Sequence, residues 1–170
     1  YVLAQDIDGQ GIETCFNMSG HVTLDCNGHS ITNVTKGIST SGFNTIKNCN
    51  IIAKTHGVIY SNAGRNIYLS DSNVTVTEAN AYDIYFAVTN TPNSNSIISN
   101  SILVTTGPNS ANMWINAAYA WTIQNTTFIS NDPSNHWIYF AGSSGNTWIH
   151  NTFIANYPNN SVPLLALVAG

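Results

Sequence analysis

Apolar residues recur along the chain at Leu24, Ile46, Leu69, Ile98, Ile123 and Ile149, at spacings of 22, 23, 29, 25 and 26 residues. Two positions after each stands a small polar side chain or a cysteine: Cys26, Asn48, Asp71, Asn100, Asn125 and Asn151. Five positions after each of the last five comes a second apolar residue, at Ile51, Val74, Leu103, Phe128 and Ile154. In the first unit Ile31 takes that place, with two extra residues. The segment NTIKNCNII at 44–52 thus returns as NTWIHNTFI at 146–154. A period of this length marks a repeat architecture.

Parity says how each repeat is bent. A straight strand places positions i and i+2 on one face and i+5 on the other. Ile46 and Ile51 both read as core residues, so the chain must bend between them, with Asn48 at the bend. Asparagine tolerates the left-handed backbone of a tight bend. A third apolar run completes each unit: KGIST (36–40), HGVIYS (56–61), YDIYFA (82–87), NMWINA (112–117), HWIYFA (136–141) and VPLLALV (162–168). These runs are short and rich in β-branched and aromatic residues, as strands are. No helix-period stripe occurs, and Gly, Asn and Ser punctuate every unit. The pattern predicts an all-β, single-stranded parallel β-helix of about six coils, roughly 29 Å tall at ~4.8 Å per level. One domain covers residues 1–170, with 1–20 as a leading cap and 21–170 as the coils. Identical positions then stack. Asn48, Asp71, Asn100, Asn125 and Asn151 are expected to form an inward turn ladder, each rung worth roughly 0.5–1.5 kcal/mol.

The third strand predicts an interaction surface. With Ile38, Val58, Ile84, Trp114, Ile138 and Leu164 inward, the next residues, Ser39, Ile59, Tyr85, Ile115, Tyr139 and Leu165, face outward. From the second coil up this row is apolar or aromatic, whereas the first strand's outward row, Lys47, Ser70, Ser99, Gln124 and His150, is polar. A strand apolar on both sides is expected to be covered on both sides. Its cover is either the chain's own loops, such as residues 89–96, or another protein surface. An aromatic platform for sugar rings, with Tyr85, Tyr139, Trp137 and Trp148, is a third reading. The last run, SVPLLALVAG, has no charge and no polar cap. Either further chain or another copy is expected to stack there.

Composition narrows the partners. Only 7% of residues are charged, against about 25% in an ordinary soluble protein. Asn, Ser and Thr take the polar positions. A net charge of −4 with four Lys plus Arg argues against nucleic acid or an anionic membrane. No apolar run reaches the ~20 residues that span a bilayer. The first residue is Tyr1, consistent with a trimmed end after export. Sequons stand at Asn17, Asn33, Asn73, Asn125 and Asn159 and are glycosylation sites if the protein is exported by a host that modifies them. Of the three cysteines, Cys15 and Cys26 are expected to pair in an oxidising compartment, leaving Cys49 as a small buried residue.

The stretch YVLAQDI…ETCFNMSGHVTLDCNGHSI, and VTLDCNGHSI (22–31) above all, resembles the pectin-lyase-like right-handed β-helix superfamily. Within it the NosD-like repeat proteins of exported and surface type are the nearest look. The resemblance implies right-handed coiling and leaves activity open, since that superfamily includes polysaccharide lyases, hydrolases, epimerases, adhesins and surface-layer components. Its enzymes use clustered carboxylates with Ca²⁺ and a basic residue, or paired aspartates with a Gly-His-Gly segment. Here Arg65 is the one arginine, Asp83 meets Lys36 and Lys54 only if the coils align, and Gly28-His29-Ser30 departs from the pattern. Two converging carboxyl groups cannot be assembled. Asp6, Asp8 and Glu13 resemble part of a Ca²⁺ loop without its run of alternating oxygen ligands. His21, His29, His56, His136 and His150 are isolated. The expectation is an exported structural protein, without a catalytic centre or cofactor. Copies of itself would assemble into an extracellular filament, sheath or surface layer through the apolar flank and end-to-end contacts. A carbohydrate-binding or adhesive module, with glycans as partner, is the alternative, and a lyase or epimerase a further one.

Overall fold

A computed structural model describes residues 1–60, 66–86, 95–116, 120–141, 145–157 and 165–168. Its strands, in chain order, are β1 (Ile7–Asp8), β2 (Thr14–Asp25), β3 (Ser30–Lys47), β4 (Asn50–Tyr60), β5 (Ile67–Ser70), β6 (Asn73–Val76), β7 (Tyr82–Phe86), β8 (Ile97–Ser99), β9 (Ile102–Thr105), β10 (Ala111–Asn116), β11 (Thr122–Gln124), β12 (Thr127–Ser130), β13 (His136–Ala141), β14 (Thr147–Ile149), β15 (Thr152–Ala155) and β16 (Leu165–Val168). Every pairing among them is parallel and joins one coil to the next. The chain is therefore a β-solenoid. Leu24, Ile46, Leu69, Ile98, Ile123 and Trp148 stand in one column, six levels with five turns of chain between them.

Each turn has three faces. The first holds the ends of β2 and β3 and then β5, β8, β11 and β14; the second holds the starts of β3 and β4 and then β6, β9, β12 and β15. The third holds the start of β2, the middle of β3, the end of β4, and β7, β10, β13 and β16. The expected two-residue expansion of the first unit is present, because Ile31 pairs with Ile51. Residues 1–20 belong to the coil: Val2 bridges to Asp25, Ile7 pairs with Ile31, and Phe16 pairs with Ile38.

Three columns of apolar side chains fill the interior. Ile46, Leu69, Ile98 and Ile123 come from the first face, Ile31, Ile51, Val74, Leu103 and Phe128 from the second, and Ile38, Val58, Ile84, Met113 and Ile138 from the third, all almost fully buried. Parallel strands covered on their inner side by like residues give such columns directly, since each level repeats the side-chain direction of the last.

The bends are built as expected at four levels. Asn48, Asp71, Asn100 and Asn125 have φ of 54°, 51°, 49° and 50°. At the sixth level the register differs: Trp148 pairs with Ile123 and Ile149 with Gln124, so His150, with φ 50°, occupies the bend and Asn151 follows it. By the same shift Phe153, not Ile154, pairs with Phe128. The ladder also stands on the opposite side from that expected. Asp71, Asn100 and Asn125 are exposed, and the amides bond on the outside of the bend. Asn48 Nδ2 donates to Asp25 Oδ1 at 3.0 Å, Asn100 Nδ2 to Asp71 Oδ1 at 3.2 Å, and Asn125 Nδ2 to Asn100 Oδ1 at 3.2 Å. The reason is local, because a left-handed residue at a convex corner projects its side chain away from the coil.

The inward polar ladder belongs to the next residue. The backbone N–H of Cys49 donates to Ser72 Oγ, that of Ser72 to Ser101 Oγ, and that of Thr126 to Asn151 Oδ1, at 3.1, 3.3 and 2.9 Å. The other two corners repeat the device. Ala81 N–H donates to Ser110 Oγ and Ser110 N–H to Asn135 Oδ1. Val22 N–H donates to Asn44 Oδ1, Ile67 N–H to Ser96 Oγ, and Trp121 N–H to Asn146 Oδ1. A buried N–H must find a partner, and here a side-chain oxygen one coil away supplies it.

The disulfide joins Cys26 to Cys49, not to Cys15. Cys26 and Cys49 are 23 residues apart, one turn of chain, and their Cα atoms lie 4.7 Å apart at the first corner. Cys15, only 11 residues before Cys26, sits half a turn away at the start of β2, as a half-buried free thiol. In a coil, closeness in space follows the repeat length, not closeness in sequence.

Ser101→Ala would leave the buried Ser72 N–H without its partner. Urea unfolding should show a loss of about 1–3 kcal/mol, with Ser101→Thr closer to wild type. Reducing the Cys26–Cys49 bond, or replacing both by serine, opens a 23-residue loop and should lower stability by about 3 kcal/mol in the same assay.

Candidate functional site

The third face carries the feature most unlike an ordinary protein surface. Ile59, Tyr85, Trp114 and Tyr139 pair in register on β4, β7, β10 and β13 and are all half-buried. The outward member from β10 is Trp114. Ile115 pairs with Phe86 and is fully buried, so it belongs to the core and not to this row. In β16 Leu165 pairs with Ile138 and Ala166 with Tyr139, which puts Leu165 at the register position of the inward column. The NMWINA run misleads because both Asn112 and Met113 are buried, so the outward alternation restarts one residue later than a uniform strand would have it.

The rings on this flank pack along the axis of the coil. Trp114 and Tyr139 stack with centroids 3.9 Å apart and 12° between planes. Tyr82 and Tyr85 stack at 5.1 Å, His56 meets Tyr85 edge-on at 5.0 Å, and Tyr82 is tilted against Trp114 at 5.4 Å. In each stacked pair one face of each ring is covered by its neighbour. Trp137 and Trp148 do not extend the row. Trp137 is tilted against Phe153 at 5.2 Å, and Trp148 is tilted against Phe128 at 6.4 Å on the first face.

At the foot of the ladder, Lys36 Nζ and Glu13 Oε1 form an ion pair at 2.6 Å, and His56 pairs in register with Lys36 on one side and Tyr82 on the other. Burial, then the Lys36 charge, pull the imidazole down to about 4, against a smaller opposing pull from Glu13. Burial and the neighbouring Tyr85 push the Tyr82 hydroxyl above its ordinary value. His56 is thus a neutral ring at pH 7, suited to an apolar stack.

A second apolar stripe lies on the second face, where the third-strand reading did not look. Ile52, Thr75, Val104, Ile129 and Ile154 pair in register at the outward positions of successive strands, every one β-branched and all but Thr75 apolar. Ile52 and Ile154 are 38% and 37% exposed. The signal was available in the period-2 alternation of these strands. It is hidden by their four-residue length.

The carboxylates do not converge. Asp6 accepts from Ser30 N–H and contacts His29 Nδ1, Asp8 accepts from Gln10 N–H and Asn33 Nδ2, and Glu13 takes Lys36. The Ca²⁺-loop candidates Asp6, Asp8 and Glu13 are therefore held apart by separate partners, and among the described residues no three His, Cys, Asp or Glu side chains come together. Asp25 accepts from Asn48 and Asn27 and pairs with Lys47 at 3.0 Å, which hold its carboxyl at about 2. Asp83 lies inside the coil, away from any lysine partner, and Arg65 lies outside the described residues. Of the sequons, Asn17, Asn33 and Asn73 are exposed on the outer surface, although Asn33 Nδ2 is bonded to Asp8. Asn125 is a ladder rung, and Asn159 lies outside the described residues. So does most of the 89–96 segment expected to cover the flank. Among the described residues no helix is long and apolar enough to cross a membrane.

The His56 shift has a sign that can be checked. A histidine whose folded value lies below its unfolded value near 6.5 contributes stability that is present above 6.5 and lost as pH falls toward about 4. Thermal unfolding should therefore show wild type losing stability relative to His56→Gln between those limits, with the two parallel above pH 7.

Compared with protein-family models, with characterised proteins and with solved structures, the chain matches none.

Proposed function

We propose that this chain is an exported structural protein whose copies join through the aromatic flank into an extracellular filament, sheath or surface layer. The observation that carries this reading is the in-register outward row of Ile59, Tyr85, Trp114 and Tyr139, half-exposed over four levels. Rows of apolar edges on a rigid parallel sheet suit a repeating protein contact, because burial of such surface is worth ~25–30 cal/mol per Å² and little side-chain freedom remains to be lost. The β-branched stripe on the second face is a further flank, and a subunit with two different sticky flanks builds open arrays more readily than closed dimers. The resemblance of VTLDCNGHSI to NosD-like surface proteins, the low charge and the exposed sequon at Asn73 all suit the cell exterior, with a glycan as decoration.

Negative-stain electron microscopy of the protein at neutral pH should show fibres or arrays. Trp114→Glu would place a charge in the joint and should weaken association by at least about tenfold, equivalent to about 1.4 kcal/mol, with the far-ultraviolet circular dichroism unchanged. Uniform wild-type monomers would sink the proposal. Monomers that bind on a glycan array would favour the adhesive reading, and release of unsaturated uronate would favour a lyase.

A further inference from the structure

One carboxyl group is sealed inside the coil. Asp83, on β7, is fully buried, and so is Asn112, at the matching position one coil on, on β10. Asn112 Nδ2 donates to Asp83 Oδ2 at 2.8 Å and also to the Leu103 and Ile129 carbonyls at 3.0 and 3.1 Å. The other two oxygens of this pair, Asp83 Oδ1 and Asn112 Oδ1, are both buried without a hydrogen-bond partner. Both are acceptors, and two acceptors cannot bond each other. One proton on Asp83 Oδ1 resolves both at once, because a carboxylic acid and a primary amide each carry one donor and one acceptor side by side.

The surroundings favour the acid form. Burial drives the Asp83 carboxyl well above its ordinary value, against the opposing pull of the Asn112 amide and the Val76 N–H. β6, β9, β10 and β12, which pack around it, carry no titratable side chain. The ionisable groups on adjoining segments are Lys54, His56 and Tyr60 on β4, Tyr82 and Tyr85 on β7 itself, Glu78 in the turn after β6, and His136 and Tyr139 on β13. Of these, Lys54 and Glu78 are solvent-exposed and His56, Tyr82, Tyr85, His136 and Tyr139 partly so, while Tyr60 is buried. Below Asp83 the column continues as Gly57, where a Cβ would approach the Asp83 carbonyl oxygen to 2.7 Å, so the level leaves no room for a compensating side chain.

We propose that Asp83 and Asn112 form a closed acid–amide ring, with Asp83 Oδ1–H donating to Asn112 Oδ1, and that release of this one proton to solvent loosens the middle of the coil at alkaline pH. The pair is a conformational device and does not depend on what the outer flanks bind. The sign follows from the proton's location: the folded chain holds a proton that the unfolded chain releases near pH 4, so stability falls as pH rises between that value and the folded one. The unfolding equilibrium shifts by about tenfold per pH unit across this window.

The test is Asp83→Asn, which supplies the donor permanently. Its unfolding midpoint should stay level as pH is raised from 5 to 9, relative to which wild type falls progressively; a constant offset between the two would overturn the proposal. The wild-type protein alone provides a second measurement, which stands even if the variant fails to fold. Its infrared spectrum at pH 7 should contain the carbonyl stretch of one protonated carboxylic acid, and a spectrum with carboxylate bands only would overturn it equally.

Discussion

The structure depends on what happens to one backbone N–H at each corner. Along a face, parallel strands satisfy each other level by level. At a corner the chain turns, and the N–H after the turn is caught by a side-chain oxygen of the next coil, as Ser72 N–H is by Ser101 Oγ and Ser110 N–H by Asn135 Oδ1. An unpartnered buried N–H would cost about 1–3 kcal/mol at every corner of every turn, enough to exhaust the stability of a domain this size. The requirement selects short, uncharged side chains with an oxygen at fixed reach, and Ser, Thr and Asn are the ones that meet it.

That requirement also explains the composition. The chain is 7% charged because its polar residues are committed to corners, both inside, at Ser72, Ser101 and Thr126, and outside, at Asn48, Asn100 and Asn125. The few charges are used locally, as in Lys47 with Asp25 and Lys36 with Glu13. The flanks are then left to β-branched and aromatic residues. Rings of successive levels stack there, and Trp114 against Tyr139 is the tightest example. The one buried acid, Asp83, is tolerated because Asn112 stands at the matching position in the next coil. The repeat that builds the core thus also supplies the partner for its exception.

The coil itself was legible from the chain alone. Apolar residues at Leu24, Ile46, Leu69, Ile98 and Ile123, with Cys, Asn or Asp two positions later, determine a period, a bend and parallel stacking, because those are properties of each repeat taken singly. What the sequence could not settle was any relation between repeats of unequal length. A shift of one residue at the sixth level moved the bend from Asn151 to His150, and a buried Asn112 moved the outward position from Ile115 to Trp114. Pairing between coils also decided that Cys26 takes Cys49 and leaves Cys15 free, and that Asp6, Asp8 and Glu13 stay apart. The physical reason is common to all of these. Periodicity tells which way a side chain points relative to its own strand, but its neighbours lie one turn away, and only the completed register says which residue that is.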